Sequence, residues 1–251
     1  MSFADKVILI TGSGRGMGAE VARAFAQESA TVCVADLDEV RAKSVATGIT
    51  KQGGKARAFH TDVRIDASVK AMFEKIGSEF GGLDVLVNMA GGYGEAFRRS
   101  DETPADEWDM VIDSNLKGSF LCAKYAVPLM RKKGGGRIIN FSSNAGRTVS
   151  PLLGCSYTAA KAGVIGLSRH LAKEFAHESI LVNTVAPGPV DGDRLADLLD
   201  HSGKNTLASQ IPIGRLATSG DIAPVVLFLA SNAASFMTGA ILDVNGGYVL
   251  A

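Results

Sequence analysis

Tyr157 and Lys161 stand four residues apart in Tyr157-Thr158-Ala159-Ala160-Lys161, so on a helix a phenol and an ammonium share one face, one turn apart. A phenol with a reference pKa of about 10 is a poor base at neutral pH, but a neighbouring cation favours the phenolate. The pair is thus a candidate proton-transfer device for an alcohol or ketone. Ordinary helices also carry Tyr and Lys at this spacing, with Lys in water, so its meaning depends on the rest of the chain.

A second chemical feature lies near the start. Thr11-Gly12-Ser13-Gly14-Arg15-Gly16-Met17-Gly18 follows an apolar strand-like run and leads into a helical pattern through Ala22, Phe25 and Ala26. Glycines let backbone approach phosphate closely, and a helix N-terminus supplies free N–H groups with a partial positive charge. Asp36 closes the second strand-like run, eighteen residues beyond Gly18. A carboxylate there can accept hydrogen bonds from the adenosine ribose and repel a 2′-phosphate, which favours NAD over NADP. Arg15, a cation within the loop, pulls the other way.

These residues need a scaffold that brings strand ends together. Apolar runs at 6–11, 31–36, 56–61, 84–88, 137–142, 180–185 and 240–244 alternate with helix-length segments and mostly lack polar alternation, as strands covered on both faces do. The expected fold is α/β, a doubly wound, seven-stranded parallel sheet with helices on both faces, in one domain over 1–251. Ligands then bind beyond the carboxyl ends of the strands. Thr103 as cap, Pro104 in the first turn and the acids Asp106 and Glu107 predict a helix start. Trp108, Val111, Ile112, Leu116 and Phe120 follow at spacings of three and four, predicting its buried face, which Asn115 interrupts. A buried amide there requires a partner.

Equal counts of 26 basic and 26 acidic residues give no electrostatic reason to expect a nucleic-acid partner. No apolar run approaches the ~18 residues that span a bilayer, and the first residues lack a signal-peptide pattern, so no membrane partner and a cytoplasmic location are expected. Cys33, Cys122 and Cys155 form no Cys-x-x-Cys arrangement and read as packing thiols; the four histidines show no ligand spacing, so no metal site is expected.

With the loop, Asp36, Asn115, Ser143, Tyr157 and Lys161 in view, the chain resembles the compact branch of the short-chain dehydrogenase/reductase family. The motifs fall in family order over nearly the whole chain: the loop at 11–18, Asp62-Val63, Asn88-Met89-Ala90-Gly91, Asn115, Ser142-Ser143, Tyr157 and Lys161, Pro187-Gly188, and Asn245-Gly246-Gly247. The resemblance implies a hydride-transferring oxidoreductase for a secondary alcohol or ketone. It makes Tyr157 the general acid–base, Lys161 its cationic partner and grip on the nicotinamide ribose, Ser143 the donor to the substrate oxygen, and Asn115 the holder of a linking water. Ser143 is preferred to Ser142 by the same alignment. It also implies dinucleotide contacts from Gly12, Arg15, Gly16, Met17, Gly18, Asp36, Leu37, Asp62, Val63, Asn88, Ala90, Gly91, Pro187, Gly188 and Val190, besides Tyr157 and Lys161. Helices at about 103–132 and 156–178 are implied to pair across subunits of a homotetramer. Three positions depart from the pattern: Met89 replaces an Asn, Gly192 a Thr that holds the carboxamide, and Asn245 an Asp. Asp191 or the backbone at Val190 could take over that carboxamide.

Two segments are expected to meet the substrate: 91–99, with Arg98 and Arg99 as candidate partners of a substrate anion, and a lid at about 191–213 that lowers Leu195, Leu198 and Leu199 over the site. Ser150-Pro151-Leu152-Leu153 would form a further wall. Two other readings are an NADPH-dependent 3-oxoacyl-acyl-carrier-protein reductase, docking its carrier on Arg131-Lys132-Lys133, and a regulator that senses the cofactor without catalysis.

Overall fold

Seven parallel strands form one sheet in the computed structural model, which describes residues 2–150 and 152–250. They are β1 (Val7–Thr11), β2 (Thr31–Asp36), β3 (Lys55–His60), β4 (Val85–Asn88), β5 (Gly136–Phe141), β6 (Ile180–Pro187) and β7 (Ile241–Val244). Their order is β3-β2-β1-β4-β5-β6-β7, parallel at every pairing. The expected topology is therefore present, with strand limits moved by one or two residues.

The sheet forms because successive side chains point to opposite faces and both faces are covered. Ile8, Ile10, Val32, Val34, Val85, Val87, Ile139 and Phe141 are buried against α1 (Gly16–Gln27), α2 (Glu39–Lys51) and α9 (Ser219–Ala230). Val7, Leu9, Cys33, Leu86, Ile138 and Val182 are buried on the other face, against α3 (Asp66–Phe80), α5 (Gly118–Lys132) and α6 (Cys155–Phe175). β3 is a sheet edge and does alternate, with Lys55, Arg57 and His60 exposed and Phe59 buried. Burial pushes the Cys33 thiol up and the Cys122 thiol up to about 12, which suits packing residues.

The helix before β5 corrects the sequence expectation. Pro104, not Thr103, is the N-cap, and α4 (Ala105–Ile112) begins one residue later. A π turn at Asp113–Lys117 then joins α4 to α5. Its extra residue rotates the stripe that a regular helix would bury. Trp108 and Phe120 are 39% and 46% exposed, whereas Val111, Asn115, Ser119 and Cys122 are buried. Asn115 therefore belongs to the inward face.

Candidate active site

The order of the sheet places β2 and β4 on opposite sides of β1, so the loops that follow β1 and β4 diverge. A cleft of about 840 Å³ opens there and runs along the carboxyl ends of the strands.

Its first arm is built on the glycine loop. Gly12 takes φ +66°, and a Cβ there would stand 2.7 Å from Ala90 Cα; a Cβ on Gly18 would stand 2.3 Å from the Gly12 carbonyl oxygen. Ser13 Oγ donates to the Ile10 carbonyl at 2.7 Å and accepts from Ala35 N–H at 3.2 Å, fastening the loop to β1 and β2. Arg15, the N-cap of α1, makes no side-chain cap bond, so the first N–H groups of that helix are free for an anion. A dinucleotide pyrophosphate fits such a cradle. Asp36 accepts from the N–H groups of Gly14 at 2.8 Å and Asp38 at 3.0 Å, so its carboxylate braces the loop while lining the cleft. Asp62 is gripped by Arg64, with Arg64 Nη2 at 2.7 Å, and this partner holds its carboxyl below the usual range.

The second group comes from β5 and α6. Ser143 follows β5 as the cap of a short 3₁₀ turn, accepting from Ala145 N–H at 3.1 Å and donating to Asn144 Oδ1 at 3.0 Å, and it stands close enough to Tyr157 to favour the phenolate. Ser142 is buried and donates to the Lys161 carbonyl at 2.8 Å, tying β5 to α6. The two serines thus do different work. Lys161 is buried; its Nζ donates to the Phe141 carbonyl at 2.9 Å and lies 5.6 Å from the centre of the Tyr157 ring. Burial, helped by the positive charge of Arg194, lowers its pKa to about 7. Burial raises the Tyr157 phenol above its usual value, against opposing contributions from Arg194 and Ser143. Arg194 thus joins Lys161 as a cation beside the phenol.

All the expected site residues except Asn88 and Asn115 line the cleft. Asn88 is buried beneath it, donating to Asn140 Oδ1 at 2.8 Å. Asn115 lies behind the wall: its Nδ2 donates to the carbonyls of Gly92 and Val111, both at 2.8 Å, and Ser119 Oγ donates to its carbonyl at 2.7 Å. A backbone carbonyl partner for this amide is what its interior position requires.

Several substrate-side expectations change. Arg98 is held by Glu95 and Glu107, and Arg99 by Asp101, so both are neutralised locally and neither lines the cleft. The carboxylate of Asp191 pairs with Lys204 at 2.8 Å. The 191–213 segment forms α7 (Asp193–Ala196) and α8 (His201–Ser209); Leu195 of α7, Leu198 of the turn between them and Leu207 of α8 line the cleft, and Leu199 does not. Ser150, Leu152 and Leu153 line the facing wall, and Pro151 lies outside the described residues. Sequence reasoning passed over Arg194, which donates to the Gly91 carbonyl and lies 5.7 Å above the Tyr93 ring. Its signal was a cation inside an expected apolar lid. Among the described residues no group of His, Cys, Asp and Glu is arranged to hold a metal ion, and no helix is long and apolar enough to cross a membrane.

The fold and cleft define a dinucleotide-binding α/β protein organised around its switch point. A family model described as Enoyl-(Acyl carrier protein) reductase matches residues 12–249. The chain is 42% identical to a cis-4-hydroxycyclohexanecarboxylate dehydrogenase of Sinomonas cyclohexanicum over 98% of both chains. It is 41% identical to a 3-oxoacyl-(acyl-carrier-protein) reductase of Staphylococcus aureus, covering 96% of this chain and 97% of that one. A solved 3-oxoacyl-(acyl-carrier protein) reductase from Brucella melitensis superposes with a TM-score of 0.94 at 34% identity, over 99% of this chain and 93% of that one. The chain belongs to the short-chain dehydrogenase/reductase family, oxidoreductases of alcohol and ketone substrates that use NAD or NADP.

Proposed function

We infer that the protein is an NAD-dependent dehydrogenase of a small secondary alcohol, with Tyr157, Ser143, Lys161 and Asn115 as its working set. The observation that carries this reading is that Tyr157, Ser143 and Lys161 line the same cleft as the glycine loop, with Lys161 Nζ 5.6 Å from the centre of the Tyr157 ring. When bound, the nicotinamide supplies the hydride acceptor or donor. Tyr157 takes the hydroxyl proton in oxidation and returns it in reduction. Ser143 donates to the substrate oxygen as charge develops there. Lys161 supplies a proton-accepting amine beneath the phenol, and Asn115 fixes the backbone of Gly92 at the edge of the site.

Asp36 supports NAD, because a carboxylate beside Leu37 meets a ribose 2′-hydroxyl well and a 2′-phosphate badly. Asp36→Ala should relax the preference toward NADP, read as the ratio of kcat/KM for the two cofactors. An unchanged ratio removes Asp36 from this role.

The Staphylococcus aureus relative favours a second reading, reduction of an acyl-carrier thioester with NADPH. Two features weigh against it. Arg131 is engaged by Glu178, and the Arg131-Lys132-Lys133 end of α5 sits three residues before β5. That places it at the amino edge of the sheet, a strand length of roughly 20 Å from the cleft. The first relative's substrate, a cyclic hydroxy acid by its name, fits the small-alcohol reading better. The cofactor-sensing reading is disfavoured by the full catalytic set.

The same reading makes the protein one domain with α7 and α8 as a lid, cytoplasmic, and a homotetramer. Support for assembly comes from the exposed Trp108 and Phe120 and from Gly166, where an added Cβ would meet nothing within 4 Å. Gly163 is different, because its small size is taken up by Leu116 of the same chain at 2.7 Å.

A further inference from the structure

Beyond Tyr157 and Ser143 the cleft continues into a second arm walled by Tyr93, Met110, Leu152, Leu195 and Leu198. These walls suit a compact carbon skeleton. The charges around the cleft are distributed unevenly. Arg41 pairs with Asp38 at 3.1 Å and Arg64 with Asp62 at 2.7 Å; Arg15 belongs to the glycine loop at the far end. Lys161 is committed to the Phe141 carbonyl. Arg194 differs from all of these: it lies in the apolar arm, and among the described residues it forms no ion pair. One bond to the Gly91 carbonyl and the face of Tyr93 hold the guanidinium in place while leaving most of its N–H donors free.

A planar cation fixed in this way matches a planar anion, which it can bind through two parallel N–H bonds. Arg194 is exposed on the cleft side of α7, so the pairing draws on its two-bond geometry rather than on exclusion of water. A phosphate dianion would call for further cations or N–H groups, and the arm offers only one free cation among the described residues. We propose that Arg194 binds a substrate carboxylate, and that the substrate is a small secondary hydroxy acid, or the corresponding keto acid, whose skeleton lies against the leucine wall. This rests on the dehydrogenase reading of the same site. In oxidation the carbinol C–H leaves as hydride to the oxidised nicotinamide dinucleotide and the O–H proton goes to Tyr157. The product is a ketone, and the carboxylate is unchanged. Because Arg194 sits on α7, the carboxylate also ties the lid to the substrate.

The test uses matched pairs, 4-hydroxycyclohexanecarboxylate and 3-hydroxybutyrate, each against its neutral carboxamide, with NAD and NADP. Wild type should favour at least one acid over its amide. In Arg194→Met the KM for that acid should rise about ten- to hundredfold. Because Arg194 also acts on Tyr157, the readout is the ratio of kcat/KM for acid over amide at one pH, which should fall at least about tenfold while the KM for the dinucleotide stays within about threefold, and Arg194→Lys should recover part of the loss. Calorimetry with cyclohexanecarboxylate, which has no hydroxyl to oxidise, gives a readout without turnover: binding to wild type, lost in Arg194→Met. Equal use of acid and amide with no carboxylate binding overturns the proposal and leaves the dehydrogenase standing. A rise in the dinucleotide KM, shared by acid and amide, likewise overturns it and assigns Arg194 to the cofactor. No turnover of any alcohol contradicts the dehydrogenase; carboxylate binding lost in Arg194→Met would then still place an anion site at Arg194.

Discussion

Ser142 and Ser143 are neighbours with opposite duties, and substitution should separate them. Ser143→Ala removes the donor beside Tyr157 and should lower kcat strongly, with a stability cost of about 1 kcal/mol from the lost cap on Ala145 N–H. Ser142→Ala breaks the bond to the Lys161 carbonyl and should cost about 1 kcal/mol of stability by denaturant unfolding while retaining more activity. A larger kcat loss from Ser142→Ala would exchange their roles. The charge of Arg194 lowers both the Tyr157 and the Lys161 pKa values, so Arg194→Met should move the pH–rate profile toward alkaline pH. A profile that stays put would show that the guanidinium does not act on the proton-transfer pair. At this scale the Tyr–Lys pair and the glycine loop were legible because residue type and spacing mark them and the rest of the chain supplies their context. Arg194 was not, because its significance comes from forming no ion pair among the described residues, and chain distance does not reveal that: its carbonyl partner is Gly91.

The interrupted helix from α4 to α5 shows why patterning failed locally. A repeat of three and four residues assumes 3.6 residues per turn throughout, and the π turn at Asp113–Lys117 violates that assumption. Asn115 looked like a break in a buried stripe but is the residue that the turn carries inward. Gly91 and Asn115 are then close-packed: a Cβ on Gly91 would stand 2.2 Å from Asn115 Oδ1. Gly91→Ala should therefore displace the amide from the Gly92 carbonyl, lowering activity and costing about 1–3 kcal/mol of stability. Wild-type activity and unfolding midpoint in that variant would show that the wall yields easily. The 191–213 segment was legible as leucine-bearing. Which leucines face inward depends on the break between α7 and α8, for which the spacing gave no sign.

Over the whole molecule, the seven parallel strands and a cleft at their carboxyl ends followed from apolar runs, because strands covered on both faces leave an unbroken signature, whereas β3 alternates. Folding also imposes a pH dependence. Lys161 has a folded pKa of about 7, well below the ordinary lysine value. Between about 7 and the reference value of about 10.4 the unfolded chain holds this proton and the folded chain does not, so stability from this group rises with pH across that window. Thermal melts without cofactor should show a shallower rise from pH 7 to 9.5 in Lys161→Met than in wild type. Equal slopes would mean that the folded lysine keeps its proton. Light scattering at micromolar concentration should give a tetramer, and a monomer would contradict the assembly assigned to the outward face of α4 and α5. The central claim is that Tyr157 moves the proton of a secondary alcohol oxidised with NAD, and the direct measurement is absorbance at 340 nm for wild type and Tyr157→Phe. Turnover should fall by at least about a hundredfold in the variant while its affinity for NAD, measured by calorimetry, is kept. Turnover near the wild-type rate in Tyr157→Phe would contradict the claim and send the proton through another group.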